Sequence, residues 1–317
     1  MLFLKSGILT TIQDLGRNGH RSAGINPNGT MDKYAVRLIN ILLNNDENEG
    51  ALEIHFPAAE ILFEEDCTIA IGGADFLPIL NNRPINSWKR VSVSIGDRLS
   101  FSRKNYGNRA YLAVSGGFKI EKWLDSVSTN LAARIGNKFE KGDRIELNGS
   151  SAITINPKTQ ISPNILPPYQ TQKVIRIITG NEYTLLDEYS KQKLQNQTFT
   201  IGLDSNRMGY RLIGQPLKLT TNDSGSILSS AVDFGTIQFL PSGQLIILMA
   251  DHQTSGGYPR IGHVVSVDLP ILAQLGAKDS FKFQIIGIKE AQELLFLREE
   301  DMKKLKLGVK LNCRTSF

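Results

Sequence analysis

Short apolar runs separated by Gly, Asn and Asp turns dominate this sequence, and that rhythm restricts it to a strand-rich fold. The clearest runs are 67–71, 91–95, 98–102, 110–114, 174–178 and 245–249. Val91-Ser92-Val93-Ser94-Ile95 alternates apolar and polar residues, as a half-buried strand does, and Gly96-Asp97 follows as a turn. Helical periodicity is rarer. Residues 31–43 place Met31, Tyr34, Ala35, Leu38, Ile41 and Leu42 on one face. Thr30 is expected as the N-cap there, with Asp32 in the first turn, where the helix dipole favours an anion. Further helices are expected over 183–195 and 288–306, with a short one opening at Asp268-Leu269-Pro270 and running to about Leu275.

The stretch at about 149–172 holds Pro157, Pro163, Pro167 and Pro168 among polar residues with little periodicity, which reads as a linker. It divides the chain into two β domains, 1–160 and 161–317. The halves look related. Ile69 to Phe76 and Ile175 to Tyr183 each read as an apolar strand, then Gly, a small residue, an acid and an aromatic. Ser115-Gly116-Gly117-Phe118 likewise parallels Ser255-Gly256-Gly257-Tyr258, so two equivalent strand-end loops are expected; chance similarity between strand-turn sequences is the alternative.

Bulk properties exclude several classes. Hydrophobic content of 41% and charged content of 21% in 317 residues suit a globular chain with a sizeable core. The net charge of +5 is spread out apart from Lys303-Lys304-Leu305-Lys306, which reads as a solvated helix face and not a nucleic-acid patch. Cys67 and Cys313 make neither a disulfide framework nor a metal site, and His20, His55, His252 and His263 lack metal-ligand spacing. The opening apolar run is broken by Lys5, unlike a signal peptide, and no run of about 18 apolar residues suggests a membrane span. A cytoplasmic location without membrane or nucleic-acid partners is expected.

Five segments have the composition of a site. Thr10 to Gly19 presents Gln13, Asp14 and Arg17 between turn glycines; Arg17 suits a carboxylate or phosphate, or pairs with Asp14 to pin the loop. Gly29-Thr30-Met31-Asp32 lies at a helix start, either an anion-binding N-terminus or a plain cap. In Gly72-Gly73-Ala74-Asp75-Phe76 the acid either accepts from a substrate N–H or makes an Asx-turn. Ser205 to Arg211 sets Arg207 and Arg211 around Gly209, a clamp for an acidic ligand or a pair of backbone-bonded loop arginines. The densest segment is Ala250 to Pro259, with an acid, an imidazole, an amide, hydroxyls and a phenol after an apolar strand. An amide-type substrate needs donors for its carbonyl oxygen and an acceptor for its N–H. Gln253 and the glycine N–H groups suit the first, and Asp251 suits the second or serves as general base. A mere hairpin corner is the other possibility. There is no phosphate loop, no biotin-attachment sequence and no nucleophile elbow.

Seven ordered blocks resemble one family. They are T-T-x-Q-D-x-G-R-x-G at 10–19, N-G-x-M-D at 28–32, G-G-A-D-F at 72–76, A-Y-L-A-V-x-G-G at 110–117, S-x-S-T at 126–129, R-M-G-Y-R-L-x-G at 207–214 and M-A-D-x-Q-T-x-G-G-Y-P-x-I-G at 249–262. The family is variously called allophanate hydrolase subunit 2, KipA-type, the C subunit of 5-oxoprolinase, or biotin-dependent carboxyltransferase-like. Asn44-Asn45 and Phe56-Pro57 depart from its usual Gly-Asn and Gly-Pro. The resemblance implies a mainly β chain with two cyclophilin-like β-barrel domains. It also implies a hetero-oligomer with a KipI-type subunit and a lactam-binding subunit. Together these open 5-oxoproline to L-glutamate with ATP as co-substrate, by a phosphorylated intermediate and attack of water. Two other activities remain open: carboxyl transfer to urea or a related amide from carboxybiotin, and regulatory binding that antagonises a KipI-type kinase inhibitor. The site is expected in a cleft shared by both halves, with Asp251, Gln253 and Asp32 catalytic, Asp14, Arg17, Arg207 and Tyr258 binding substrate, and no metal.

Overall fold

A computed structural model describes residues 1–149, 159–171, 173–220 and 227–314, the side chains of 312–314 excepted. Residues 150–158 and 172 of the linker expected at 149–172 lie outside these residues, as does the Cys313 side chain. The fold is mainly β, with four α-helices among the described residues. It divides into two compact units. Unit 1 comprises Met1–Arg17, Asn28–Pro167 and the chain from Arg298 onward; unit 2 comprises Asn18–Pro27 and Pro168–Leu297.

Unit 1 holds β1 (Leu2–Lys5), β2 (Thr10–Gln13), α1 (Lys33–Leu42), β3 (Ala51–Ile54), β4 (Glu60–Leu62), β5 (Cys67–Asp75), β6 (Pro78–Leu80), β7 (Arg83–Pro84), β8 (Arg90–Val93), β9 (Arg98–Phe101) and β10 (Tyr106–Val114). They form two five-stranded sheets, ordered β1-β4-β9-β6-β7 and β2-β3-β10-β5-β8. Alternation along the second sheet explains the layering. Leu52, Ile54, Ile69, Ile71, Leu112 and Val114 point to one side and join Phe3, Ile61 and Leu99 of the first sheet in a single core. The residues between them, such as Glu53 and Tyr111, point to the other face, where α1 packs on β5 and β10. Gly72 permits that approach, since a Cβ there would lie 2.7 Å from Ile39 and 2.6 Å from Trp88. Leu38, Ile39, Ile41 and Leu42 of α1 are almost wholly buried, each worth about 1.5–3 kcal/mol of transfer.

The N-cap of α1 is Asp32, not Thr30: its carboxylate accepts from Ala35 N at 2.9 Å. A carboxylate bonds the free first-turn N–H groups more strongly than a hydroxyl, so the helix begins two residues later than expected.

Unit 2 holds β11 (Val174–Thr179), α2 (Glu188–Asn196), β12 (Phe199–Ile201), β13 (Gly209–Ile213), β14 (Ser230–Ala231), β15 (Thr236–Phe239), β16 (Leu245–Leu248), β17 (Ser255–Gly256), β18 (Arg260–Val264), α3 (Leu269–Gln274) and β19 (Ser280–Ile285). Seven of the strands close a barrel, β11-β18-β15-β16-β13-β12-β19, sealed by the parallel pairing of β11 with β19. Alternate residues fill it: Ile175 and Ile177, Phe199 and Ile201, Tyr210 and Leu212, Ile237 and Phe239, Leu245 and Ile247, Phe281 and Phe283. The helix expected over 183–195 is two elements. Tyr183–Leu185 is a 3-10 turn, and α2 starts afresh after Asp187, whose carboxylate accepts from Ser190 N. The last helix, α4 (Ile288–Arg314), runs past its expected end at Lys306; its residues through Leu297 group with unit 2 and those from Arg298 with unit 1. Among the described residues no helix is long and apolar enough to cross a membrane.

Candidate functional site

Asp14, Arg17 and Asp32 lie in unit 1, and all three are buried. Asp14 follows β2 and is a hub. Its Oδ1 accepts from Gly16 N (2.8 Å), Ser126 Oγ (2.7 Å) and Ser128 Oγ (2.5 Å), and its Oδ2 accepts from Val127 N (2.8 Å). Two sequence blocks, 10–19 and 126–129, are thereby tied to one carboxylate. Arg17 donates from Nη2 to Ser128 O and lies 5.2 Å over the Trp123 ring. Asp75, at the end of β5, makes the Asx-turn: Oδ1 accepts from Leu77 N at 2.9 Å, while Oδ2 accepts from Asn105.

Asp32 belongs to a buried polar chain that the sequence did not single out. Asp32 N donates to the Tyr111 hydroxyl (3.0 Å), which donates to Glu53 Oε2 (2.9 Å). Met31 N donates to the same oxygen, and Arg109 and His55 approach Glu53 Oε1 at 3.7 and 3.8 Å. Glu53 is only 1% exposed, so its charge depends on these partners. Burial, then the charges of Glu53 and Asp32, push the Tyr111 phenol well above its usual range and keep it a donor. The available signal was a Glu in the otherwise apolar run Ala51-Leu52-Glu53-Ile54, which the alternating pattern reads as a solvent-facing residue.

Arg207, Asp251, Gln253 and Tyr258 lie in unit 2. Arg207 and Asp251 pair with each other: Nε reaches Oδ2 at 2.9 Å and Nη2 reaches Oδ1 at 3.0 Å, in the bidentate geometry that fixes orientation best. Asp251 N also donates to Arg207 O. Asn26 donates to the carbonyls of Asp251 (3.0 Å) and His252 (3.1 Å), so segment 18–27 helps set the loop. His252 is buried, its Nδ1 2.6 Å from Gln253 O and its Nε2 3.7 Å from Asp233, which pairs with Arg21 at 2.6 Å.

That anchored loop leaves Gln253 and Tyr258 on the wall of a cleft of about 550 Å³. The floor is the outer face of three neighbouring barrel strands. Pairing of Arg211 with Ile246 and of Gln238 with Ile246 puts these residues in one row, and Gly209 opposite Leu248 makes the next. Rigid strands below and a polar loop above provide an apolar surface with a few placed donors, the usual make-up of a small-molecule site. Among the described residues no group of three or more His, Cys, Asp or Glu is placed to hold a metal.

The carboxyltransferase domain, subdomain A and B, family model matches residues 23–285. The C subunit of the Haemophilus influenzae 5-oxoprolinase is 38% identical over 288 residues, 90% of this chain and 90% of its own length. That of Escherichia coli is 34% identical over 91% of this chain and 92% of its own. The crystal structure of the K. lactis urea amidolyase superposes with a TM-score of 0.89 at 27% identity, covering 96% of this chain; the chain spans only 20% of that enzyme's length. On this family match and these full-length relatives, the chain belongs to the carboxyltransferase domain, subdomain A and B, family.

Proposed function

We propose that this chain is the carboxyltransferase-like subunit of a cytoplasmic, ATP-dependent 5-oxoprolinase, which with a KipI-type subunit and a lactam-binding subunit opens 5-oxoproline to L-glutamate. The observation that carries this reading is the match to a 5-oxoprolinase C subunit over 90% of both chains. The unit 2 cleft is consistent with it. A lactam is a cyclic amide, and Gln253 and Tyr258 offer an amide and a phenol at the cleft wall while the Arg207–Asp251 pair holds their loop. A triphosphate calls for several uncommitted donors. The arginines lining the clefts of unit 2 each stand beside a carboxylate, Arg211 beside Asp204, Arg260 beside Glu182 and Arg21 beside Asp233, so the clefts lack the excess positive charge that a triphosphate needs, although the weak, exposed Arg211–Asp204 pair can still meet a single carboxylate. These residues do not fit ATP, which we assign to a partner subunit.

The test is reconstitution: co-purify the chain with its partners and measure 5-oxoproline-driven ATP hydrolysis and glutamate release. In cells, deletion should accumulate 5-oxoproline. A deletion strain without accumulation, growing normally on 5-oxoproline as nitrogen source, overturns the proposal. The fold match to urea amidolyase favours a second reading, carboxyl transfer to a urea-like amide from biotin carried by another chain. Biotin-dependent carboxylation by the purified complex would establish it instead.

A further inference from the structure

We propose that Gln238 binds the carbonyl oxygen of the substrate on the floor of the unit 2 cleft, while Arg211 takes its carboxylate at the rim. The inference rests on the lactam-acid reading above and adds to it the two residues that orient the ligand.

Gln238 is a polar residue in an all-buried strand and is 1% exposed. Its Nε2 is buried and has no hydrogen-bond partner among the described residues, and the residue lies on the lining of the cleft. A buried donor without an acceptor costs about 1–3 kcal/mol, and such groups persist where something else supplies the acceptor. Two features of the backbone hold the side chain there. The β15–β18 register shifts between Ile237 and Gln238, an irregularity of the kind that re-aims a side chain. Gly256 of the overlying loop comes so close that a Cβ would lie 2.5 Å from Gln238 Nε2 and 3.4 Å from Gln253 Nε2. Both amides therefore converge beneath the loop.

The acceptor that suits Gln238 is a neutral one. Ile246 and Leu248 flank it on the floor, and a carboxylate seated there would lose its hydration for a single uncharged donor. Arg211 stands on the far side of Ile246, two strand spacings from Gln238, roughly 10 Å between backbones. Its side chain is 53% exposed and its pair with Asp204, at 3.1 Å, is an exposed one, which binds weakly and leaves the guanidinium able to meet a second carboxylate. A small ring acid thus has one orientation, carbonyl inward and carboxylate outward. A neutral amide such as urea uses only the inner half.

The experiment titrates the isotope-labelled full chain with 5-oxoproline, 2-pyrrolidinone and proline, following the Gln238 side-chain amide assigned with Gln238→Leu. The first two probes should move that amide, with 2-pyrrolidinone binding at least tenfold more weakly; proline, which lacks the ring carbonyl, should not. In the reconstituted complex Gln238→Leu should raise KM for 5-oxoproline at least tenfold, and Arg211→Met should reduce the preference over 2-pyrrolidinone to under threefold. An amide unmoved by 5-oxoproline, or moved equally by proline, overturns the assignment of Gln238; an unchanged preference in Arg211→Met overturns that of Arg211. Turnover without the amide response rejects this inference and keeps the proposed function. The amide response without turnover does the reverse.

Discussion

The two Gly-Gly pairs look alike in sequence and do different work. Gly116 and Gly117, after β10, both have left-handed backbones, with φ of 83° and 80°. A Cβ at Gly117 would also collide with the Glu49 side chain. That pair is a turn, and glycine is there because L side chains rarely adopt the conformation. Neither Gly256 nor Gly257 is among the positive-φ residues; Gly256 belongs to β17 and pairs with Ser230. Glycine at 256 lets the loop backbone press on Gln238. The same dipeptide is a conformational requirement in unit 1 and a close approach over a cleft in unit 2. Expected equivalence between the two loops therefore gives way to one turn that needs left-handed glycines and one loop whose glycine lies close over a cleft.

Four experiments would break or sharpen that contrast. The largest effect is expected at Asp14, the hub of unit 1. Asp14→Ala leaves Ser126, Ser128 and two backbone N–H groups without their acceptor and should cost about 3–5 kcal/mol in denaturant unfolding. A loss under about 1 kcal/mol would show that the hub does not hold unit 1. Next comes the anchor of the unit 2 loop. Asp251→Asn, which weakens the pair with Arg207, should cost about 1–3 kcal/mol and lower 5-oxoproline turnover. Normal turnover would mean that the loop needs no anchor.

The third experiment exchanges the glycines for alanine. Gly117→Ala should destabilise by about 1–2 kcal/mol for the left-handed residue, and more if Glu49 cannot move. Gly256→Ala meets only the far ends of the flexible Gln238 and Gln253 side chains, so unfolding should shift by less than about 1 kcal/mol. Its effect should appear in ligand affinity instead. Equal destabilisation by both would restore the equivalence that the sequence suggested.

The smallest effect is a pH dependence. Burial pushes the His263 imidazole below its usual 6.5, against the opposing charge of Asp233. The unfolded chain then takes a proton that the native state refuses, so stability should decline as pH falls below about 6.5. His263→Gln should flatten that part of the profile. The carboxylates of unit 1 act lower. Arg37 draws Glu299 down through a bidentate bond at 2.6 and 2.7 Å, and its stabilisation is lost only as pH falls through the folded-state value of Glu299, below 4.5. A single acid transition with no change in His263→Gln would remove the distinction.

Much of the framework was legible because it is local. The runs 67–71 and 174–178 lie in β5 and β11, and 98–102 matches β9 to within one residue, since an alternating or apolar run between turn residues has few other stable forms. Helix boundaries were less legible where two capping residues competed, as Thr30 and Asp32 did, or where Asp187 restarted a helix behind a 3-10 turn. Within the candidate site, the density of polar residues at 250–259 marked the loop. It did not reveal that Arg207 and Asp251 would satisfy each other, because partners 44 residues apart are set by pairing of β13 with β16.

By itself, then, the sequence determined the strand-rich class, the family and the segments that carry polar groups, all of which rest on local periodicity and on ordered motifs. Only the tertiary structure decided which polar groups are spent and which are offered. Thr236-Ile237-Gln238-Phe239 alternates as any barrel strand does, and its rule sends Gln238 outward, toward what reads as solvent. Gln238 is buried because a loop from β16 onward folds over that face and brings Gly256 against it. Segment 18–27, whose first two residues close the 10–19 motif, groups with unit 2 and helps hold the same loop through Asn26. Burial by a distant segment leaves no periodic trace in the residue it covers, and that is why the cleft floor could be read only from the folded chain.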